Sequence, residues 1–287
     1  MAVGSSLSPI LTLTTDFGLS DVYVGVMKGV ILGIAPQARL VDLTHDIAPQ
    51  NILAASLRLA AACPYFPSGT IHLVVVDPGV GSARDALVVE TETCLFVAPD
   101  NGVLTAPLRQ MPARRVVRLG EAACAYYRHP VSATFHGRDI FAPIAAHLAA
   151  GLPLEALDDG GPTLPPSQLI LPEPLPKRTA DGQPMLRLHV LYTDHFGNLI
   201  TDLTPQRWAA WLEEVGGEEE GDLAAQCMVR AGKQRWRGIA RTFADVAVGS
   251  PLAYWGSSGT LEIGIRNGHA ARTLSLSPGD TIMLILP

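Results

Sequence analysis

Residues 70–77, TIHLVVVD, carry apolar side chains at five of eight positions, four of them consecutive (Leu73 to Val76). A strand with one face in water alternates apolar and polar residues. A continuous apolar run belongs to a strand covered on both faces, as in a parallel sheet packed between helices. The flanking segments supply those helices. ILTLTT (10–15) and ARLVDLT (38–44) read as strands. Between them, DVYVGVMKGVILGIAP places Met27, Val30, Ile31 and Ile34 at helical spacing and stops at Pro36. PQNILAASLRLAAAC reads as a helix opening at Pro49. ALVVE and CLFVA read as a hairpin or two neighbouring strands, and RDIFAPIAAHLAAG (138–151) as a helix ending at a glycine. This alternation predicts a layered α/β domain with a mostly parallel sheet over residues 8–160.

The character then changes. GGPTLPP and LPEPLPK carry prolines that exclude a helix and favour a stiff, extended connection, so residues 161–184 read as a linker. From 185 to 287 the signals are mostly short strands: LRLHVLY, QCMVRAG, QRWRGIA, TLEIGI and TIMLIL, interrupted by the helix TPQRWAAWLEEVG. They predict a smaller β-barrel domain. The net charge of −6 and the lack of any basic run argue against a nucleic-acid partner. MAVGSSLSPI lacks the basic start of a signal peptide, no apolar run is long enough to span a bilayer, and the four cysteines form no CxxC pair. The expectation is a cytoplasmic protein that engages no membrane.

Five segments carry candidate chemistry. In TTDFGLSDVYVG, Asp16 follows the first strand, where open α/β sheets line their ligand crevice, and a carboxylate there can take both hydroxyls of a ribose. Asp21 either joins it or, with Ser20, caps the next helix. DPGVGSAR lacks the helix that a phosphate loop needs. Asp77 and Arg84 within it make either a structural ion pair or a reactive one. In TFHGRDIFAP, His136 is displayed at a strand-to-helix turn, with Arg138 and Asp139 as helix-start charges. YTDHFGNLITD offers a carboxylate (Asp194), a ring (Phe196) and an amide (Asn198), suited to an ammonium and a purine, or else forms a plain turn. The Ser257–Ser258–Gly259 loop presents hydroxyls and amides suited to a carboxylate, or is a hairpin turn.

Taken in order, TLTTDFGLSDVYVGVMKG, VVDPGVGSAR, APDNGVL, FHGRDIFAP, DHFGNLITD and SSGTLEI resemble the S-adenosylmethionine (SAM) hydroxide adenosyltransferase family. That family is related to the fluorinating and chlorinating SAM enzymes. The resemblance implies an N-terminal α/β domain with a C-terminal β-barrel, and a homotrimer with active sites at subunit interfaces. It implies SAM as substrate, adenosine and L-methionine as products, and no cofactor. It assigns Asp77, Arg84 and His136 to the water or hydroxide, Asp16 to the ribose, and Asp21, Asp194 and Ser258 to methionine. Phe196 and Asn198 fall to adenine, and Asn101 in APDNGVL joins the substrate-binding set. Halogenating relatives lack the acid at the Asp77 position and the Arg–His pair, so the resemblance implies water rather than halide. The loop glycines are then expected to let backbone approach the adenosyl C5′. One departure is RNGHAA (266–271), where the family reads N-x-G-N-A-A, so no adenine contact is assigned to it.

The chemistry is coherent. The sulfonium leaves as a neutral thioether and needs no general acid, while water, with a pKa near 15.7, must be oriented and deprotonated. Three alternatives stand beside it. A SAM halogenase would use the same pocket. A SAM- or nucleoside-binding module would use it without turnover. A metal-dependent hydrolase would recruit Asp16, Asp42, His45, Asp46, His72, Asp77 and His136, although no tight ligand spacing such as HExxH appears.

Overall fold

The computed structural model describes residues 8–160, 164–216 and 220–287. The first seven residues of MAVGSSLSPI, and 161–163 of the expected linker, lie outside the described residues. Two compact units meet at Ile170 and Leu171, inside the proline-rich stretch.

The first unit contains β1 (Ile10–Thr15), α1 (Tyr23–Ile34), β2 (Arg39–Thr44), α2 (Ile52–Ala62), β3 (Thr70–Val75), β4 (Ala86–Glu90), β5 (Cys94–Pro99), α3 (Thr105–Gln110), β6 (Arg115–Arg118), α4 (Glu121–Cys124) and α5 (Ala142–Ala149). Its sheet runs β2-β1-β3-β5-β4-β6. The pairs β1–β2, β1–β3 and β3–β5 are parallel, whereas β4 is antiparallel to both β5 and β6. All six residues of β3 are buried, as its apolar run requires. Its side chains alternate between two cores. Ile71, Leu73 and Val75 join Met27 and Ile31 of α1 and Ile144 of α5, while Val74 and Val76 join Ala55 and Leu59 of α2. Helices therefore cover both faces of the sheet.

Helix α2 does not open at Pro49. Gln50 has a left-handed backbone (φ 66°), and Asn51 is the N-cap, its side chain accepting from Ala54 N at 2.9 Å. Nor does Ser20 or Asp21 cap α1: the N-cap is Val22, with no side-chain hydrogen bond.

The second unit contains β7 (Leu175–Arg178), β8 (Pro184–Thr193), β9 (Leu199–Thr201), α6 (Pro205–Glu214), α7 (Glu220–Gln226), β10 (Met228–Ala231), β11 (Gln234–Arg237), β12 (Ile239–Ala240), β13 (Pro251–Trp255), β14 (Leu261–Ile265), α8 (Ala270–Leu274) and β15 (Thr281–Ile285). The order β11-β10-β15-β8-β9-β14-β13-β12, with β7 also on β8, forms a nearly closed, barrel-like sheet. Trp208 and Trp211 of α6 pack into the same core as Leu186, Leu188 and Leu284. Part of the proline-rich stretch is thus strand: β7 pairs with β8, Leu175 lying opposite Arg187. Among the described residues no helix is long and apolar enough to cross a membrane.

Candidate active site

Asp16 and Asp77 stand just beyond the carboxyl ends of β1 and β3. These strands are parallel neighbours, Thr15 opposite Val75. The chain runs outward from β1 to β2 and returns to β3 on the other side, so the topological switch lies between β1 and β3. Open α/β sheets bind ligands at that place. A cleft of about 310 Å³ opens there, lined in part by Asp16, Phe17, Gln50, Asp77, Phe135 and His136.

Arg84 grips the Asp77 carboxylate with two hydrogen bonds, Nε to Oδ1 at 2.7 Å and Nη2 to Oδ2. The same Nη2 lies 2.9 Å from His136 Nδ1. An arginine only donates, so Nδ1 accepts and the imidazole proton sits on Nε2. Burial, then the Arg84 charge, push the His136 pKa below its ordinary value, against weaker opposition from Asp77 and Asp139. The side chains of Asp77 and Arg84 are 4% and 10% exposed. The guanidinium also stands 5.1 Å from the centre of the Phe141 ring.

Two loops hold this set. His136 precedes a π-helical turn, Gly137–Phe141, that runs into α5. Asp139 lies in the first turn, as expected of a helix-start charge, but not at the surface. It is wholly buried, receiving Arg138 Nε and Nη2 at 2.7 Å each and Ser132 N at 2.9 Å. Burial alone would raise its pKa; the bonds from Arg138 and Ser132 outweigh burial and hold it low. The glycine-rich loop packs against the chain before His136. Gly81 has φ 77°, and a Cβ there would stand 2.3 Å from the Ala133 carbonyl oxygen. At Gly79 a Cβ would meet Arg84 Cγ at 3.2 Å. These glycines thus serve loop-to-loop packing and leave room for the Arg84 stem.

On the second unit, Asp194 and Asn198 clasp each other. Asp194 Oδ1 accepts from Asn198 N at 2.7 Å and Oδ2 from Asn198 Nδ2 at 2.8 Å, across a turn with Gly197 at φ 88°. Phe196 between them is 74% exposed. The plain-turn reading of these residues is therefore met. Ser258 is not a free hydroxyl: it lies 3.0 Å from Oε1 of the buried Glu262, whose Oε2 accepts from Tyr254 at 2.6 Å. Burial and that carboxylate raise the Tyr254 pKa.

The family model of the SAM hydroxide adenosyltransferase N-terminal domain matches residues 11–158, and that of the C-terminal domain matches 188–283. The chain belongs to this family. It is 38% identical to the (R)-S-adenosyl-L-methionine hydrolase of Salinispora tropica over 96% of this chain and 97% of that one. The Thermus thermophilus protein of the same name is 39% identical over 97% and 100%. A crystal structure of an uncharacterized conserved protein from Thermotoga maritima superposes with a TM-score of 0.82 at 37% identity, covering 96% of this chain and 99% of that one. Fluorinases match more distantly, that of Actinopolyspora mzabensis at 25% identity.

Within this SAM hydroxide adenosyltransferase fold, Asp16, Asp77, Arg84 and His136 come together as a group. Asn101 does not join them: its Nδ2 donates to Val76 O at 2.9 Å and its Oδ1 accepts from Val103 N at 3.1 Å, tying its loop to the end of β3. Asp21 is exposed and does not line the cleft. The other metal-ligand candidates, Asp42, His45, Asp46 and His72, do not line this cleft. His72 is a core residue, 2.8 Å from Thr12 Oγ1 and stacked on Phe96, its pKa pushed down to about 4 by burial. Among the described residues no three His, Cys, Asp or Glu side chains are grouped to hold a metal ion. The sequence reading missed Gln50, Phe17 and Phe135 at the cleft, and Glu262 behind Ser258. Phe17 and Phe135 are direct neighbours of Asp16 and His136 within quoted motifs, the one signal that points to them.

Proposed function

We propose that this chain hydrolyses S-adenosyl-L-methionine to adenosine and L-methionine by in-line attack of water on C5′. The (R)-sulfonium epimer in the name of its relatives is taken as the substrate. One observation carries the assignment: a single guanidinium nitrogen shared between Asp77 and His136 at the cleft that also holds Asp16.

The water oxygen attacks C5′ as the C5′–S bond breaks, and the bonding pair goes to sulfur, which departs as a neutral thioether. No acid is needed on the leaving side, so we assign no cofactor. Neutral His136 has Nδ1 committed to Arg84 and presents Nε2–H, which orients the water as a donor. The water proton passes to Asp77, which retains lone pairs beyond those taken by Arg84. Arg84 stabilises the negative charge that develops on the attacking oxygen. Asp16 takes the ribose hydroxyls. Asp194 and Ser258 take the amino acid, and Phe196 and Asn198 serve the adenine end.

The assembly we propose is a cytoplasmic homotrimer in which each cleft is completed by the second unit of a neighbouring subunit. Exposed apolar side chains support it: Leu19 and Val22 at 68% and 72% in the first unit, Phe196 in the second. The decisive assay incubates the protein with each sulfonium epimer of SAM, with and without fluoride and chloride, and separates products by chromatography. Adenosine and methionine are expected, with single-turnover rates collapsing in Asp77→Ala and Arg84→Ala. Unaltered rates in both variants, binding without products, or a halogenated nucleoside would overturn the proposal.

A further inference from the structure

Three residues from the proposed metal-ligand set remain unexplained by the water-handling group: Asp42, His45 and Asp46. His45 is buried, its side chain 1% exposed, and it lies against the loop that presents Asp16. Its Nδ1 is 2.8 Å from Thr15 Oγ1, and Thr15 is itself wholly buried. That hydroxyl also accepts from Phe17 N at 3.2 Å, closing a small turn around Asp16. The His45 carbonyl accepts from Gly18 N at 2.8 Å, holding the far side of the turn. On its other edge the ring has Nε2 3.1 Å from Asp42 Oδ1, and Asp42 Oδ2 lies 2.6 Å from Lys28 Nζ. The Asp42 charge near Nε2, although that nitrogen makes no aligned hydrogen bond, favours the tautomer with the ring proton there, in which Nδ1 receives the Thr15 hydroxyl proton. Thr15 Oγ1 is then left with lone pairs for Phe17 N–H.

From this chain of contacts we infer that His45 is a positioning residue: through the Thr15 hydroxyl it fixes the turn that aims Asp16 at the ribose diol of the substrate. The inference rests on the reading of Asp16 as the diol acceptor. Asp16 Oδ2 already accepts from Gln50 N at 2.8 Å, so the carboxylate is anchored on one oxygen and Oδ1 is directed by the tilt of the turn. A carboxylate that receives two hydroxyls must be correctly tilted as well as present. Asp46 has no part in this: its backbone amide donates to Thr44 Oγ1 and its carbonyl accepts from Arg58, outside the turn.

The test compares the affinities of adenosine and 2′,3′-dideoxyadenosine for the full chain by titration calorimetry. Hydrogen bonds from the diol to a charged carboxylate give the wild type a preference for adenosine of about 10- to 100-fold. Asp16→Ala should abolish that preference. His45→Leu and Thr15→Val should reduce it by about tenfold while leaving the affinity for the dideoxynucleoside unchanged. His45→Asn, whose side-chain oxygen can replace Nδ1 as acceptor from Thr15, should restore most of it. A merely structural role would weaken both nucleosides alike. If His45→Leu fails to fold, Thr15→Val, which keeps the shape of the side chain, decides alone. Preference lost in Asp16→Ala but intact in Thr15→Val and His45→Leu overturns the inference and leaves the diol reading standing. Preference intact in Asp16→Ala overturns the diol reading itself.

Discussion

Replacing Arg84 by Met keeps most of the aliphatic stem that lies against Gly79 and removes the guanidinium. Asp77, with a side chain 4% exposed, is left as a buried charge without its two hydrogen bonds. His136 loses the donor at Nδ1. Breaking a buried pair from one side costs about 3–5 kcal/mol, because the surviving charge is desolvated and unpaired. For a unit of this size that corresponds to a fall in melting temperature of roughly 6–20 °C. The combined Asp77→Asn/Arg84→Met variant removes the orphaned charge and should recover at least half of the loss, a coupling that only contacting residues show. Both proteins should nonetheless lose SAM cleavage by about 10²- to 10³-fold or more, the usual cost of removing an electrostatic stabiliser. Scanning calorimetry on wild type, single and double variants separates the two effects. The reasoning fails if Arg84→Met melts with the wild type, or if the double variant is no more stable than the single one.

Three further outcomes follow from the same geometry. His136 titrates below the ordinary histidine pKa of about 6.5; the unfolded chain then binds the extra proton first, so its contribution to stability is full above that value and is lost as pH falls toward the folded pKa. An NMR titration of its ring should show this, with the pKa rising in Arg84→Met; a folded pKa above 6.5 would contradict it. Gly81→Ala forces a Cβ against the Ala133 carbonyl in a left-handed backbone and should cost about 2 kcal/mol or more in denaturant unfolding, together with activity; a neutral result would show that the two loops can part freely. Phe196→Ala should change stability by no more than about 0.5 kcal/mol, since the ring is 74% exposed, yet weaken adenosine binding by about tenfold if a purine stacks on it; equal binding would remove it from the adenine site.

The layered α/β half was legible because β3 states its double burial in its own residues, and the helices beside it keep a clean period. The barrel half was legible as short strands but not as an order, since β8 recruits β15, β7 and β9 along different parts of its length. Asp77 and Arg84 could be paired from sequence because they stand seven positions apart in one loop. His136 comes to them only through the fold. What sequence hid was burial and occupancy. Asp139 carries a charge that residue type assigns to the surface, yet two arginines and an amide receive it inside. Asn101 carries an amide suited to a ligand, and local backbone claims both its ends. The turn at Gln50 has no glycine to announce its positive φ, so the start of α2 was placed too early.

The π-helical turn at Gly137–Phe141 has a consequence for how such a site arises. A π turn holds one residue more than the α-helix it interrupts. The wider turn takes up that residue locally, so the chain on either side keeps its phase: α5 holds its core contacts and His136 stays facing Arg84. Within a regular α-helix the same extra residue would turn everything before it by about 100° around the axis. The scaffold can therefore carry one residue more at the edge of the cleft without its core being repacked.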